Sequence, residues 1–291
     1  MASRAPPLLE PYLRLPHETS LILLSGVLGT STNWLVHRYL YSLLASSSSH
    51  SLSRQDELVE TTISLDTHRT SVVLVSFLRD YAFWKDGSRR LGLDLDLAMK
   101  KGSFTFVDGL TGLFAPSKDD GRRQHVTDNL GKRVLSNPTT DHLRRALEDA
   151  VAHVSGISSE TQTVLVIDQP DFFLAAAGEA VSSQSLRNII LSLREKTRSC
   201  IVTVSADEPL ISAQDTVLEK EHASFTLSLV HDASLVMSLR MLETGTAKDV
   251  SGVLRVTPGG DEGTAGTIVE DRELLYFIGG DGNVRVFERG Q

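Results

Sequence analysis

The stretch LILLSGVLGTSTNW at residues 21–34 decides how the rest of the chain is read. Residues 21–24 are a short apolar run of strand length, and the glycines and small polar residues after them mark a tight turn before Trp34 opens a helical pattern. Strand, glycine turn and helix are the outline of a phosphate-binding loop. There, backbone N–H groups and the helix N-terminus hold phosphate, while the Lys and Ser/Thr of GxxxxGK[ST] handle charge and Mg²⁺. Counting from Gly26, the second glycine falls on Ser31, the lysine on Thr32 and the Mg²⁺-binding hydroxyl on Asn33. The scaffold is present and the cation is not. A neutral Thr32 supplies no charge-assisted contact to a β/γ-phosphate, so tight ATP binding by this loop alone is not expected. Gly26 and Gly29 could equally do no more than turn an ordinary strand into a helix, and this stretch alone leaves both readings open.

Composition narrows the class. A chain of 291 residues, 41% hydrophobic and 23% charged, can bury a sizeable core and fits one large α/β domain. A formal net charge of −8 argues against a chain-wide basic field, so contact with nucleic acid needs a local patch or partner subunits. The single cysteine, Cys200, excludes an intramolecular disulfide and a Cys-based zinc site, and suits a reducing, intracellular compartment. It opens the apolar run CIVTV and reads as a core residue. The first residues lack the apolar core of a secretory signal, and no run approaches the roughly 20 apolar residues of a membrane span.

Along the chain, residues 1–19 carry Pro6, Pro7, Pro11 and Pro16, which predict an extended N-terminal arm. A helix is expected over 33–44, ended by the serines at 46–49, and the covered strand SVVLVSF follows at 71–77. Residues 79–100 are amphipathic, with Asp94 and Asp96 reading as a solvated face rather than a metal pair. A third strand is expected at 104–108, helices at 140–154 and 185–198, and strands at 163–168 and 200–205. The strand TVLVID ends on Asp168, the Walker-B form in which a carboxylate reaches Mg²⁺, but Gln169 follows and no adjacent Glu is available to activate water. Residues 117–133 form a polar loop carrying Arg122, Arg123, Lys132 and Arg133, the most basic loop-like stretch of an acidic chain and a candidate contact for phosphate backbone. Residues 206–222 read as a second polar loop. From about 223 the helical pattern stops, and a hairpin over 225–230 and 234–239 is expected, followed by strands at 250–256 and 274–278. The turn GGDGN at 279–283 marks a further hairpin into 284–287.

Strands alternating with helices predict a mainly parallel sheet covered on both faces, with an antiparallel β-rich C-terminal extension. Residues 20–291 then form one domain, and the Gly26 loop and Asp168 share the carboxyl edge of the sheet, where open α/β folds bind ligands. A P-loop-like strand first, a Walker-B-like strand fourth and a β-rich tail is the order of RecA-like ATPases. No GxSxG elbow and no HExxH pair is present to support a serine or zinc hydrolase.

Four segments carry a more specific likeness: LLSGVLGTSTNWLVHRYLY, VLVIDQPDFFLAA, LETGTAKDVSGVLRV and LLYFIGGDGNVRVFERG. In order and across essentially the whole chain, they resemble the Elongator complex protein 6 family. The resemblance implies a RecA-like fold with degenerate ATPase motifs and no catalytic activity, cofactor or metal of its own. It implies assembly with Elongator complex proteins 4 and 5 into a heterohexameric ring. That ring binds tRNA and assists catalytic Elongator subunits in modifying wobble uridine, in the cytoplasm and also the nucleus. In related RecA-like ATPases a Glu ends the second strand, and the matching place here is about Leu78. Thr32, Asn33 and Leu78 thus stand where three catalytic groups would be, leaving Asp168. The competing expectation is an ATPase or small-molecule kinase with an unusual loop. A composite ATP site completed by a neighbouring subunit is a variant of both.

Overall fold

The computed structural model describes residues 6–14, 17–49, 69–114, 131–156, 161–243, 245, 247–261 and 269–289. Among these, ten strands form one sheet in the order β10-β9-β8-β7-β1-β6-β5-β2-β3-β4. The strands are β1 (Ser20–Gly26), β2 (Arg69–Ser76), β3 (Phe104–Asp108), β4 (Lys132–Val134), β5 (Thr161–Asp168), β6 (Ser199–Ser205), β7 (Leu235–Arg240), β8 (Gly252–Pro258), β9 (Arg272–Ile278) and β10 (Val284–Phe287). From β7 to β4 every neighbour is parallel, and β7, β8, β9 and β10 form an antiparallel meander. This is the expected RecA-like sheet, mainly parallel with an antiparallel C-terminal extension.

The alternation inside β1 explains the layering. Ile22 and Leu24 join one core with α1 (Asn33–Ser49), α2 (Tyr81–Arg90) and α3 (Leu95–Lys100). Leu21 and Leu23 join the other with α5 (Thr140–Ser155), α6 (Pro170–Ala177), α7 (Ser183–Arg194) and α8 (Val217–Asp232). The short α4 (Thr111–Phe114) follows β3. A strand buried on both faces needs no polar alternation, which is why 21–24 is continuously apolar. Each such side chain contributes roughly 1.5–3 kcal/mol by leaving water.

Several expectations need correction, among them the end of α1, which runs through the serines at 46–49 instead of stopping before them. The proline-rich start is not simply extended: a 3₁₀ turn at Glu10–Tyr12 buries Leu9 and Leu13, and the Tyr39 hydroxyl donates to the Tyr12 carbonyl at 2.8 Å. Pro11 sits in the first turn, where its missing N–H costs nothing. The 225–230 strand is instead the middle of α8. A capping box between Thr216 and Glu219 starts that helix, and His222, Phe225, Thr226 and Leu229 recur at helical spacing on its buried face. β7 therefore has no strand at 225–230 to pair with and lies between β1, to which it is parallel, and the antiparallel β8. The helix expected at 185–198 starts earlier, on a Ser182 capping box, and ends at Arg194. Lastly, the polar loop's final residues are strand β4, pairing with β3.

Arg194 ties distant parts together. Its guanidinium donates to the Thr19 carbonyl ahead of β1, to the Asp232 carbonyl at the end of α8, and to the Asp261 carboxylate beyond β8. α7 thus holds the first strand and the meander in one frame.

Candidate functional site at the carboxyl edge of the sheet

β1 delivers Gly26 to the carboxyl edge in register with Ser205, and β6 places Thr203 opposite Asp168 on β5. The Gly26 loop and Asp168 thus share one edge, with β6 between them. Gly29 has φ +89°, and a Cβ there would also press on the Met241 side chain at 3.3 Å, so this turn requires glycine.

Four backbone donors of the loop, those of Val27, Leu28, Thr30 and Asn33, are engaged by the protein itself. Val27 N–H donates to the Leu239 carbonyl at 3.3 Å and Thr30 N–H to the Val27 carbonyl at 2.9 Å. Asn33 N–H donates to Ser31 Oγ at 3.3 Å. Leu28 N–H donates to Asp207 Oδ1 at 2.6 Å, so a carboxylate from the segment after β6 occupies an amide that a phosphate loop would turn to its ligand. Thr32 is buried, while the Leu28 side chain is 87% exposed.

A polar row crosses the same edge. Ser76, Asp168 and Thr203 are in register on β2, β5 and β6, and all three are buried. Ser76 Oγ donates to Asp168 Oδ2 at 2.8 Å and Thr203 Oγ1 to Oδ1 at 3.0 Å. Burial pushes the Asp168 carboxyl up to about 6, against the opposing pull of these two hydroxyls. The carboxylate is thus held by neutral donors inside the protein. Leu78 lies just beyond the end of β2 and presents no carboxylate.

Next to it, Gln169 turns the chain at φ +55°, its N–H donating to Thr203 Oγ1 at 2.9 Å. Asp171 Oδ2 accepts from Ser205 N–H at 3.2 Å and lies 3.9 Å from His222 Nδ1. Burial raises the Asp171 carboxyl, and the charge of His222 opposes the rise. His222 Nε2 donates to the Ser205 carbonyl at 2.8 Å, while Ser205 Oγ donates to Gln169 Oε1 at 2.9 Å. Ser205, His222 and Asp171 therefore do not form a nucleophile relay, because the imidazole addresses the serine carbonyl and not its hydroxyl. Sequence reasoning missed Asp207, Asp171 and His222 as parts of this edge. The capping box at Thr216 and the i, i+3, i+4, i+7 spacing from His222 are the signals that could have placed His222.

The basic candidates are dispersed. Arg122 and Arg123 lie outside the described residues. Lys132 and Arg133 are neighbours on a strand and so point to opposite faces. Lys132 Nζ sits 3.9 Å from the Tyr81 ring centroid, and Arg133 lies 4.0 Å from Asp149 on α5. Asp94 caps α3, and Asp96 pairs with Lys85 at 2.7 Å. Among the described residues no cluster of three or more His, Cys, Asp or Glu is placed to hold a metal, and no helix is long and apolar enough to cross a membrane.

Sheet order, loop position and strand-end aspartate define a RecA-like α/β protein. A KaiC-like protein of Pyrococcus horikoshii has the same fold, with a TM-score of 0.53 at 13% identity over 93% of this chain and 90% of that one. The model of the family Elongation complex protein 6 matches residues 58–276, and the chain belongs to that family. It is 26% identical to an Elongator complex protein 6 homolog of Schizosaccharomyces pombe over 97% of both chains. It is also 26% identical to Elongator complex protein 6 of Saccharomyces cerevisiae over 59% of this chain and 64% of that one.

Proposed function

We propose that the chain is a non-catalytic subunit of the Elongator accessory subcomplex. It joins Elongator complex proteins 4 and 5 in a heterohexameric ring that binds tRNA and supports wobble-uridine modification by the catalytic subunits, in the cytoplasm and also the nucleus. The observation that carries this reading is the engagement of the loop. With Val27, Leu28, Thr30 and Asn33 donating internally and Asp207 on the loop, an incoming phosphate would have to displace a carboxylate without a lysine to offset its charge. No cofactor is proposed for the isolated chain; ATP is held only if a neighbouring subunit supplies the missing groups.

The same edge supports assembly. Leu28, Phe114, Phe172, Val217 and Leu218 are exposed, and each follows the carboxyl end of a parallel strand. Phe114 and Phe172 stack edge to face at 5.7 Å, a rigid apolar pair of the type that anchors interfaces. Co-purification with the two related subunits and the mass of the intact assembly test the proposal. A hexamer is expected, with Phe114→Ser/Phe172→Ser lowering its yield while the chain stays folded. A stable monomer indifferent to those subunits overturns the reading, and Mg²⁺–ATP binding by the isolated chain would favour the ATPase alternative. For RNA, Arg122, Arg123, Lys132 and Arg133 remain the proposed contacts. Their charge reversal should weaken tRNA binding by the assembled ring, and unchanged affinity removes the assignment.

A further inference from the structure

The Leu28 side chain is 87% exposed, yet the turn that carries it is tied down at several points. Its own N–H is held by Asp207 Oδ1 at 2.6 Å. Val27 N–H donates to the Leu239 carbonyl, and the Val27 carbonyl accepts the N–H and the Oγ1 of Thr30 at 2.9 and 2.7 Å. Gly29 turns the backbone at φ +89° beside the Met241 side chain. An apolar side chain on a freely moving loop must lose its mobility when a partner buries it, and that cost weakens binding. Here the backbone has lost it beforehand, so the turn holds out one leucine in a fixed position.

The second loop does the holding. Ala206 N–H donates to the Gly26 carbonyl at 2.9 Å and His222 Nε2 to the Ser205 carbonyl at 2.8 Å. The chain leaving β6 is thereby fastened to β1 on one side and to α8 on the other. After Asp207, the π-helical turn at Pro209–Ala213 packs on α8, whose first two residues, Val217 and Leu218, are also exposed.

The same segment is acidic. Residues 206–221 contain Asp207, Glu208, Asp215, Glu219 and Glu221 against Lys220. Glu219 and Glu221 are occupied by the backbone N–H groups of Asp215, Thr216 and Ser183. Glu208 and Asp215 are exposed, and among the described residues neither they nor Asp207 is paired with a cation. A phosphate backbone would meet unneutralised carboxylates here and gain nothing from a leucine. An apolar protein surface edged by lysine or arginine would satisfy both. Given the ring described under the proposed function, on which this rests, we propose that Asp207 is a positioning residue for assembly. It fixes Leu28 as an anchor for an apolar, basic-rimmed socket on the adjacent ring subunit.

The test measures association of the full chain with the two related subunits. Leu28→Ser changes an exposed side chain and should weaken association at least about tenfold while the isolated chain stays folded. Asp207→Asn and Asp207→Ala lose the same charge, but only Asn keeps an oxygen for the Leu28 N–H. Asp207→Ala should therefore associate about fivefold more weakly than Asp207→Asn and show faster exchange of the Leu28 amide. Glu208→Lys/Asp215→Lys should weaken association in dilute salt and lose that effect near about 0.5 M NaCl. A photoreactive leucine analogue at position 28 should label one of the two subunits at apolar residues adjoining Lys or Arg. Unchanged association of folded Leu28→Ser, equal association of the Ala and Asn variants, no effect of the charge reversals, or labelling of RNA or of a second copy of this chain overturns the proposal. If the unaltered chain ignores both subunits, the ring falls and this role with it. Full assembly with indifferent variants leaves the ring standing and removes only the role of Leu28 and Asp207.

Discussion

Asp207 Oδ1 and the backbone N–H of Leu28 lie 2.6 Å apart across the mouth of the glycine loop, joining the chain after β6 to the chain after β1. An exposed leucine thereby carries an amide that water does not hold. Asp207→Ala should speed Leu28 amide exchange about five- to tenfold, the opening expected from losing a hydrogen bond worth roughly 1 kcal/mol. Global stability should change by less than about 1 kcal/mol, since the contact is exposed. Mg²⁺–ATP should give no heat with either chain, because freeing one amide does not restore a lysine.

The strand half of this edge was legible in the sequence. The run 21–24, the glycines at 26 and 29 and the apolar strand ending at Asp168 each obey local rules, and topology then brings them to one edge. What escaped was nonlocal. Phe225, Leu227, Leu229 and Val230 have the composition of a strand, and only the Thr216–Glu219 capping box five residues or more upstream commits them to α8. That misreading hid His222, which is useful to Asp171 only as a helix residue facing inward. Asp207 was unreadable as a loop ligand because its partner is an amide 179 positions away. Lys132 and Arg133 look like one basic patch until β4 assigns them to opposite faces.

Asp168 should make itself felt in the pH dependence of stability. Its folded value, about 6, lies above the ordinary carboxyl value of 3.8, so between these limits the folded state holds the extra proton and stability falls as pH rises. His37 works in the opposite direction: burial, then Arg38 and Arg90, lower it from 6.5 to about 4, so its contribution is present above 6.5 and lost as pH falls. The two partly cancel in the unaltered chain. Urea denaturation at a series of pH values should separate them. Relative to Asp168→Asn, the unaltered chain is expected to lose about 2–3 kcal/mol between pH 4 and 7. A constant difference across that range would show that the carboxyl titrates normally.

The contact of α1 with α2 should prove intolerant of one methyl group. A Cβ at Gly87 would fall 2.1 Å from His37 Nε2, in a ring packed 5.0 Å from Trp84 and bonded through Nδ1 to Ser88 Oγ at 3.2 Å. Gly87→Ala should cost about 1–3 kcal/mol despite alanine's better helix propensity. Adding His37→Ala should recover part of that loss, a coupling that a double-mutant cycle measures.

β1 stands in the middle of the sheet, yet its partners come late: Ser20 pairs with Ser199 of β6, and Ile22 with Leu235 of β7. A ribosome makes this apolar strand before either of its neighbours, which emerge only after a long intervening stretch of chain. Closing such distant pairs is slow, since loop entropy is lost before any contact rewards it. For much of its synthesis the nascent chain therefore carries an unpaired strand that depends on other proteins, or on speed, to stay out of aggregates.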